Sequence, residues 1–133
     1  MAQFQLVEKI YITNLGNIKR LNRAGSHSMT LETLKPMTEI EFKAGTANWQ
    51  VHTKQTVAGA EYETTLNFTP KQRIRWTHKP LIVVLKLCNG EKRIIGSPYI
   101  PVFPEATESQ ENKNTTIKHS SWSFPMLVNT PES

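Results

Sequence analysis

The chain has 133 residues, 38% of them hydrophobic and 20% charged, which is one domain's worth of sequence with a modest core. Its net charge of +5 is unevenly spread: residues 1–103 hold fourteen Lys/Arg and seven Glu (+7), and residues 104–133 hold two Lys and four Glu (-2). All eleven acids are Glu and Cys88 is the sole cysteine, which excludes Asp-based EF-hand calcium loops, an Asp-containing triad and an intrachain disulfide.

In chain order, residues 4–13 alternate, with Phe4, Leu6, Ile10 and Ile12 on one face of an expected strand and Glu8 as the exception. This opening stretch carries charge early and no long apolar run, so neither a secretory signal nor a membrane span is expected in it. "NLGN" at 14–17 signals a turn. "IKRLNRAGSHS" suits a short helical turn, because Ile18 and Leu21 are three apart, with Gly25 and Ser26 ending it. Two short strands follow around Pro36, at 29–34 and 38–44, the second with Ile40 and Phe42 inward and Glu39, Glu41 and Lys43 in water. Residues 48–57 continue the alternation, with Trp49, Val51 and Val57 inward. A hairpin loop at 58–60 returns into a strand with Tyr62, Thr64, Leu66 and Phe68 on one face.

Residues 70–80 form a connection bracketed by prolines. "LIVVLKLC" at 81–88 is apolar on both faces, as in a central strand covered on both sides. Asn89-Gly90 is the strongest hairpin signal in the chain. A two-residue turn there sets Lys86 opposite Arg93, and Cys88, at the rim of the hairpin, reads as a buried or semi-buried small hydrophobe. Pro98, Pro101 and Pro104 at spacing three preclude a central strand, so an extended edge or arm is expected. Residues 105–116 read as a polar linker or loop, and 117–133 as a C-terminal strand that completes the chain's own sheet or a neighbour's. The domain reading is therefore a β-rich body over 1–104, the 105–116 linker and the C-terminal strand. The expected fold is all-β: a β-sandwich or partly open barrel of seven to eight strands, with at most one short helix.

Motifs for catalysis are weak. The sequence has no phosphate-binding loop, no G-x-S-x-G and no H-E-x-x-H. "GSHS" at 25–28 places Ser26, His27 and Ser28 side by side, and a nucleophile and its base normally converge from separate elements, so a polar loop is the plainer reading. His27, His52, His78 and His119 have no local ligand partners at zinc-binding spacing. No enzyme activity, cofactor, metal or small-molecule substrate is expected. The basic cluster Lys71, Arg73, Arg75 and Lys79 around Trp76 is richer: cations follow phosphates while a ring stacks a base, as in modules that bind single-stranded nucleic acid. The competing reading packs Trp76 inward and leaves the cations as a solvated face. Lys86 and Arg93 likewise read either as a wet hairpin tip or as a positive patch for an acidic partner, such as Glu105, Glu108 and Glu111 of a neighbouring copy.

The stretches "NWQVHTKQTVAGAEYETTLNFTP", "KPLIVVLKLCNGEKRIIGSPYIPVF" and "WSFPMLV", over roughly residues 48–128, resemble small β-rich proteins of the structural modules of phages and prophages. The shared pattern is a strand, a G-x-x-Y-x-x-T-L-x-F return, an NG hairpin ending in "IIGSP", and a late aromatic strand. The resemblance implies a virion component of the neck or tail, or an assembly protein, located in the virion and built in the host cytoplasm. Its implied partners are copies of itself, often in a ring, and other virion proteins. No membrane partner is expected, and nucleic acid is the rival partner. Tyr99, Val102, Phe103, Trp122, Phe124 and Met126 are the expected subunit contacts, against the alternative that they fill the chain's own core.

Overall fold

The computed structural model describes residues 3–23, 28–71, 80–96, 102, 115–121 and 125–129, with backbone alone at 3–5, 115 and 129. The chain is all-β. Among the described residues it forms ten strands: β1 (Gln3–Asn14), β2 (Ile18–Arg23), β3 (Ser28–Thr33), β4 (Thr38–Ile40), β5 (Asn48–Thr56), β6 (Gly59–Phe68), β7 (Leu81–Leu87), β8 (Lys92–Ile95), β9 (Thr115–Ser121) and β10 (Met126–Asn129). They make one open sheet in the order β2-β3-β10-β8-β7-β1-β5-β6-β9, with β4 added on β1. A 3-10 turn at Leu15–Asn17 links β1 to β2.

The strand count exceeds the sequence expectation for two reasons. Residues 18–23 are a strand rather than a helical turn, and the C-terminal segment splits into β9 and β10, the latter beginning directly after Pro125. Proline has no N–H to give a ladder, so it suits a strand's start.

β1 is the strand around which the sheet turns. Its first residues pair with β5, from Gln3↔Val51 to Leu6↔Asn48, and its remainder pairs with β7, from Val7↔Leu87 to Asn14↔Leu81. The ladder shifts register between Val7 and Lys9, so Glu8 is an inserted bulge residue at the handover. A bulge bends its strand and increases the local twist. It also resets the alternation: Val7 and Ile10 are buried, and Leu6, expected inward, is 49% exposed. The side chain of Phe4, expected on the same face, lies outside the described residues.

Two apolar clusters result. The larger gathers Trp49, Val51, Leu66, Phe68 and Ile117 from β5, β6 and β9 against Val7, Ile10, Val83, Leu85, Leu87 and Ile95 from β1, β7 and β8. The two arms of the sheet thus close on each other across this cluster. Phe42 joins its edge, its ring 6.5 Å from that of Phe68. The smaller cluster lies on the other face of β7, where Ile82 and Val84 meet Leu31, Ile94 and Val128. The four residues Ile82, Val83, Val84 and Leu85 are all 0% exposed, so the expectation of a strand covered on both faces holds. Burial of each such side chain contributes about 1.5–3 kcal/mol.

The β5–β6 hairpin closes tightly, with Thr56 opposite Gly59 and Val57-Ala58 between them. Gly59 has φ +128, a backbone conformation open chiefly to glycine. Val57, expected inward, is fully exposed at this tip. Replacing Val57 by Lys is therefore expected to change the unfolding free energy by less than about 0.5 kcal/mol in a urea titration.

Candidate interaction surfaces

The hairpin between β7 and β8 exists but is one residue longer than its NG signal suggested. Leu87 N–H donates to the Glu91 carbonyl at 2.8 Å, and Gly90 N–H donates to the Leu87 carbonyl at 2.9 Å. The loop is Cys88-Asn89-Gly90, a turn followed by a glycine with φ +92, which is the three-residue hairpin with a glycine bulge. Asn89 supports it with its side chain: Oδ1 accepts from the Glu91 N–H at 3.0 Å. Cys88 is exposed at this tip, neither buried nor semi-buried.

The extra loop residue moves the charges. Lys86 stands opposite Lys92, and Arg93 stands opposite Leu85 on the other face of the sheet, so Lys86 and Arg93 do not form a facing pair. Arg93 instead lies 3.6 Å from Glu91 and donates to the Pro125 carbonyl at 2.9 Å, tying β8 to the start of β10. On the Lys86 face the like charges extend further, because Lys9 of β1 is also in register with Lys86. Lys9, Lys86 and Lys92 thus form a row across three adjacent strands. Glu39 lies 3.9 Å from Lys9 and Glu8 lies 3.7 Å from Lys86, exposed ion pairs of small net value.

Burial, and then the neighbouring Lys86 charge, hold the Lys92 ammonium below its ordinary pKa of 10.5. Below its folded-state pKa, Lys92 is charged in both states and carries the whole penalty. As pH rises through that value toward 10.5, the native lysine sheds its proton before the unfolded one, so the penalty fades and stability rises. Lys92→Gln removes the penalty at neutral pH. The expected result is a small rise in Tm at pH 7, on the scale of about 0.2–1 kcal/mol for a like-charge cross-strand pair, and a flatter Tm-versus-pH curve at alkaline pH.

The two ends of the sheet are β2 and β9. Among the described residues β2 pairs with β3 alone, with Leu21 opposite Leu31 and Arg20 opposite Glu32. Lys19, Arg20, Asn22 and Arg23 are all exposed, while Ile18 and Leu21 rest on the smaller cluster. The edge of the sheet is therefore a basic strand. β9 pairs with β6 throughout, buries Ile117 and exposes Thr116, Lys118 and Ser120. A shallow cleft of about 390 Å³ lies near β2, between the end of β1 and residues 34–38. Asn17 braces its wall, donating to Thr13 Oγ1 and the Lys35 carbonyl at 2.9 Å each.

Few of the other sequence candidates fall within the described residues. Val102 is fully buried in the larger cluster, where its N–H and carbonyl both bond to Leu81. It therefore has no surface to offer a partner. Met126 is half-buried on β10 against the smaller cluster. Tyr99, Phe103, Trp122 and Phe124 lie outside the described residues. Of the basic cluster, Lys71 is exposed, with its N–H bonded to the Glu41 carbonyl at 3.1 Å; Arg73, Arg75, Trp76 and Lys79 lie outside the described residues. His52 is exposed and 2.8 Å from Gln50, whereas Ser26 and His27 are again outside. Among the described residues, no three His, Cys or Glu side chains gather as a metal site, and no helix is long and apolar enough to cross a membrane.

The sequence reading overlooked Lys9 and Lys92 as neighbours of Lys86, and the cations of β2. The β2 signal was present as three cations in the six residues "IKRLNR", masked by the helical reading of that stretch. No protein family, curated protein or solved structure matches the chain.

Proposed function

We propose that the chain is a structural or assembly subunit of a phage or prophage particle, a neck or tail component that works by association with copies of itself and with other virion proteins, without catalysis. The observation that carries this reading is the open sheet, whose end strands β2 and β9 each have, among the described residues, a strand partner on one side only. An open edge is a template for strand addition, and one chain type joined through unlike surfaces closes into rings when the rotation permits. The resemblance of residues 48–128 to phage structural modules adds the setting. In this reading the virion is the final location.

The test is the solution mass of the full chain by light scattering at low and high salt. A discrete oligomer is the expected result, and a folded monomer under every condition would sink the proposal. A second reading, a basic nucleic-acid-binding β-module, draws on the +7 charge of residues 1–103 and the exposed cations of β2. It demands oligonucleotide binding that weakens steeply with salt.

A further inference from the structure

The edge strand β2 carries a net positive charge. Three features coincide on it: a strand with a neighbour on one side only among the described residues, exposed Lys19, Arg20 and Arg23, and one carboxylate, Glu32, in the strand pair it forms with β3. The other sheet end does not match it, since the Lys, Arg or Glu that β9 carries is a cation, Lys118. Edge-to-edge joining of β2 to β9 would set like charges together. The complementary sequence in this chain is 105–111, "EATESQE", with three carboxylates and no cation. It lies between Val102, which is anchored to Leu81, and Thr115, where β9 begins. A segment of twelve residues, the length of 103–114, has a contour that allows about 20 Å out and back.

We infer that the open edge of β2 receives the acidic 105–111 segment of a second copy of this chain. This rests on the self-association proposed above. Main-chain bonds along the edge supply affinity, and the cation–carboxylate match fixes the partner and register. The contact joins unlike surfaces, so each subunit offers one donor segment and one acceptor edge.

The experiment compares four chains by light scattering and analytical ultracentrifugation: the native chain, K19E/R23E, E105K/E108K/E111K, and the two sets combined. Arg20 is left in place to keep its position across from Glu32. Far-UV circular dichroism and the thermal midpoint check the fold of each, and K19Q/R23Q replaces the first variant if reversal prevents folding. The expected result is an oligomer weakened about tenfold or more in dissociation constant by either set alone, and restored by the combination. An oligomer indifferent to both sets overturns the inference and leaves the self-association proposal standing. Weakening without restoration in the combined chain also overturns it. A native chain that stays monomeric defeats both. A monomer that binds single-stranded DNA and loses that binding in K19E/R23E assigns the edge to nucleic acid instead.

Discussion

Replacing Trp49 by Ala is expected to lower the unfolding free energy by about 3–5 kcal/mol, the usual cost of removing a large aromatic from a packed core. Trp49 is 1% exposed on β5 and stands directly opposite Leu66 of β6, which is 0% exposed. The cluster that holds it draws on β1, β7, β8 and β9 as well as on its own hairpin, so the void would be lined by several ladders at once. Set against a typical stability of about 5–15 kcal/mol, that loss places the variant near the limit of folding. Urea titration followed by tryptophan-independent circular dichroism measures it. A loss under about 1 kcal/mol would mean that the two arms of the sheet do not close over this residue. The exposed Val57, eight positions along the same hairpin, provides the internal control.

Most of the strands were legible because one wet face and one dry face leave a period of two. Tyr62, Thr64, Leu66 and Phe68 do lie on one face of β6, and the unbroken apolar run of β7 does divide its side chains between two clusters. The failures share a physical cause. In β2 the ladder shifts between Ile18 and Arg20, so Ile18 and Leu21, three apart, fall on the same face. In β1 the inserted Glu8 does the same for Val7 and Ile10. A bulge thus turns a strand's period of two into a local spacing of three, the spacing that signals a helix. The β7–β8 register slipped for a related reason, because Asn-Gly also serves a three-residue loop when the asparagine side chain holds the next N–H.

The candidate surfaces were less legible than the fold because they depend on which strands become neighbours. The row Lys9, Lys86 and Lys92 exists because β1 and β8 flank β7, and nothing local to Lys9 reports that. Likewise, the three cations of "IKRLNR" become an edge only once β3 is known to pair with β10 on its other side. Charge counts along the chain found the basic body and acidic tail but could not place them on a sheet.

A chain ending at residue 121 is expected to lose cooperative tertiary structure. The sequence allowed the C-terminal strand to be a detachable arm, yet β10 sits inside the sheet: it runs parallel to β3 through Leu127↔Ser28, Val128↔Met29 and Asn129↔Thr30, and antiparallel to β8 through Met126↔Ile94 and Leu127↔Arg93. Its removal separates the β2–β3 pair from the rest of the sheet. It also takes away Val128, uncovers Leu31 and Ile94, and breaks the bond from Arg93 to the Pro125 carbonyl. Three apolar side chains at about 1.5–3 kcal/mol each approach the whole stability of an ordinary domain. The measurement is the near-UV circular dichroism and thermal melt of the shortened chain, with a synthetic peptide spanning residues 122–133 added in trans. Loss of the signal, and its return with the peptide, are the expected results, since an internal gap flanked by two open ladders is the strongest site for strand addition in this fold. A shortened chain that melts cooperatively near the native midpoint would instead make β10 dispensable, and the C-terminal segment would then regain its place as the arm exchanged between subunits.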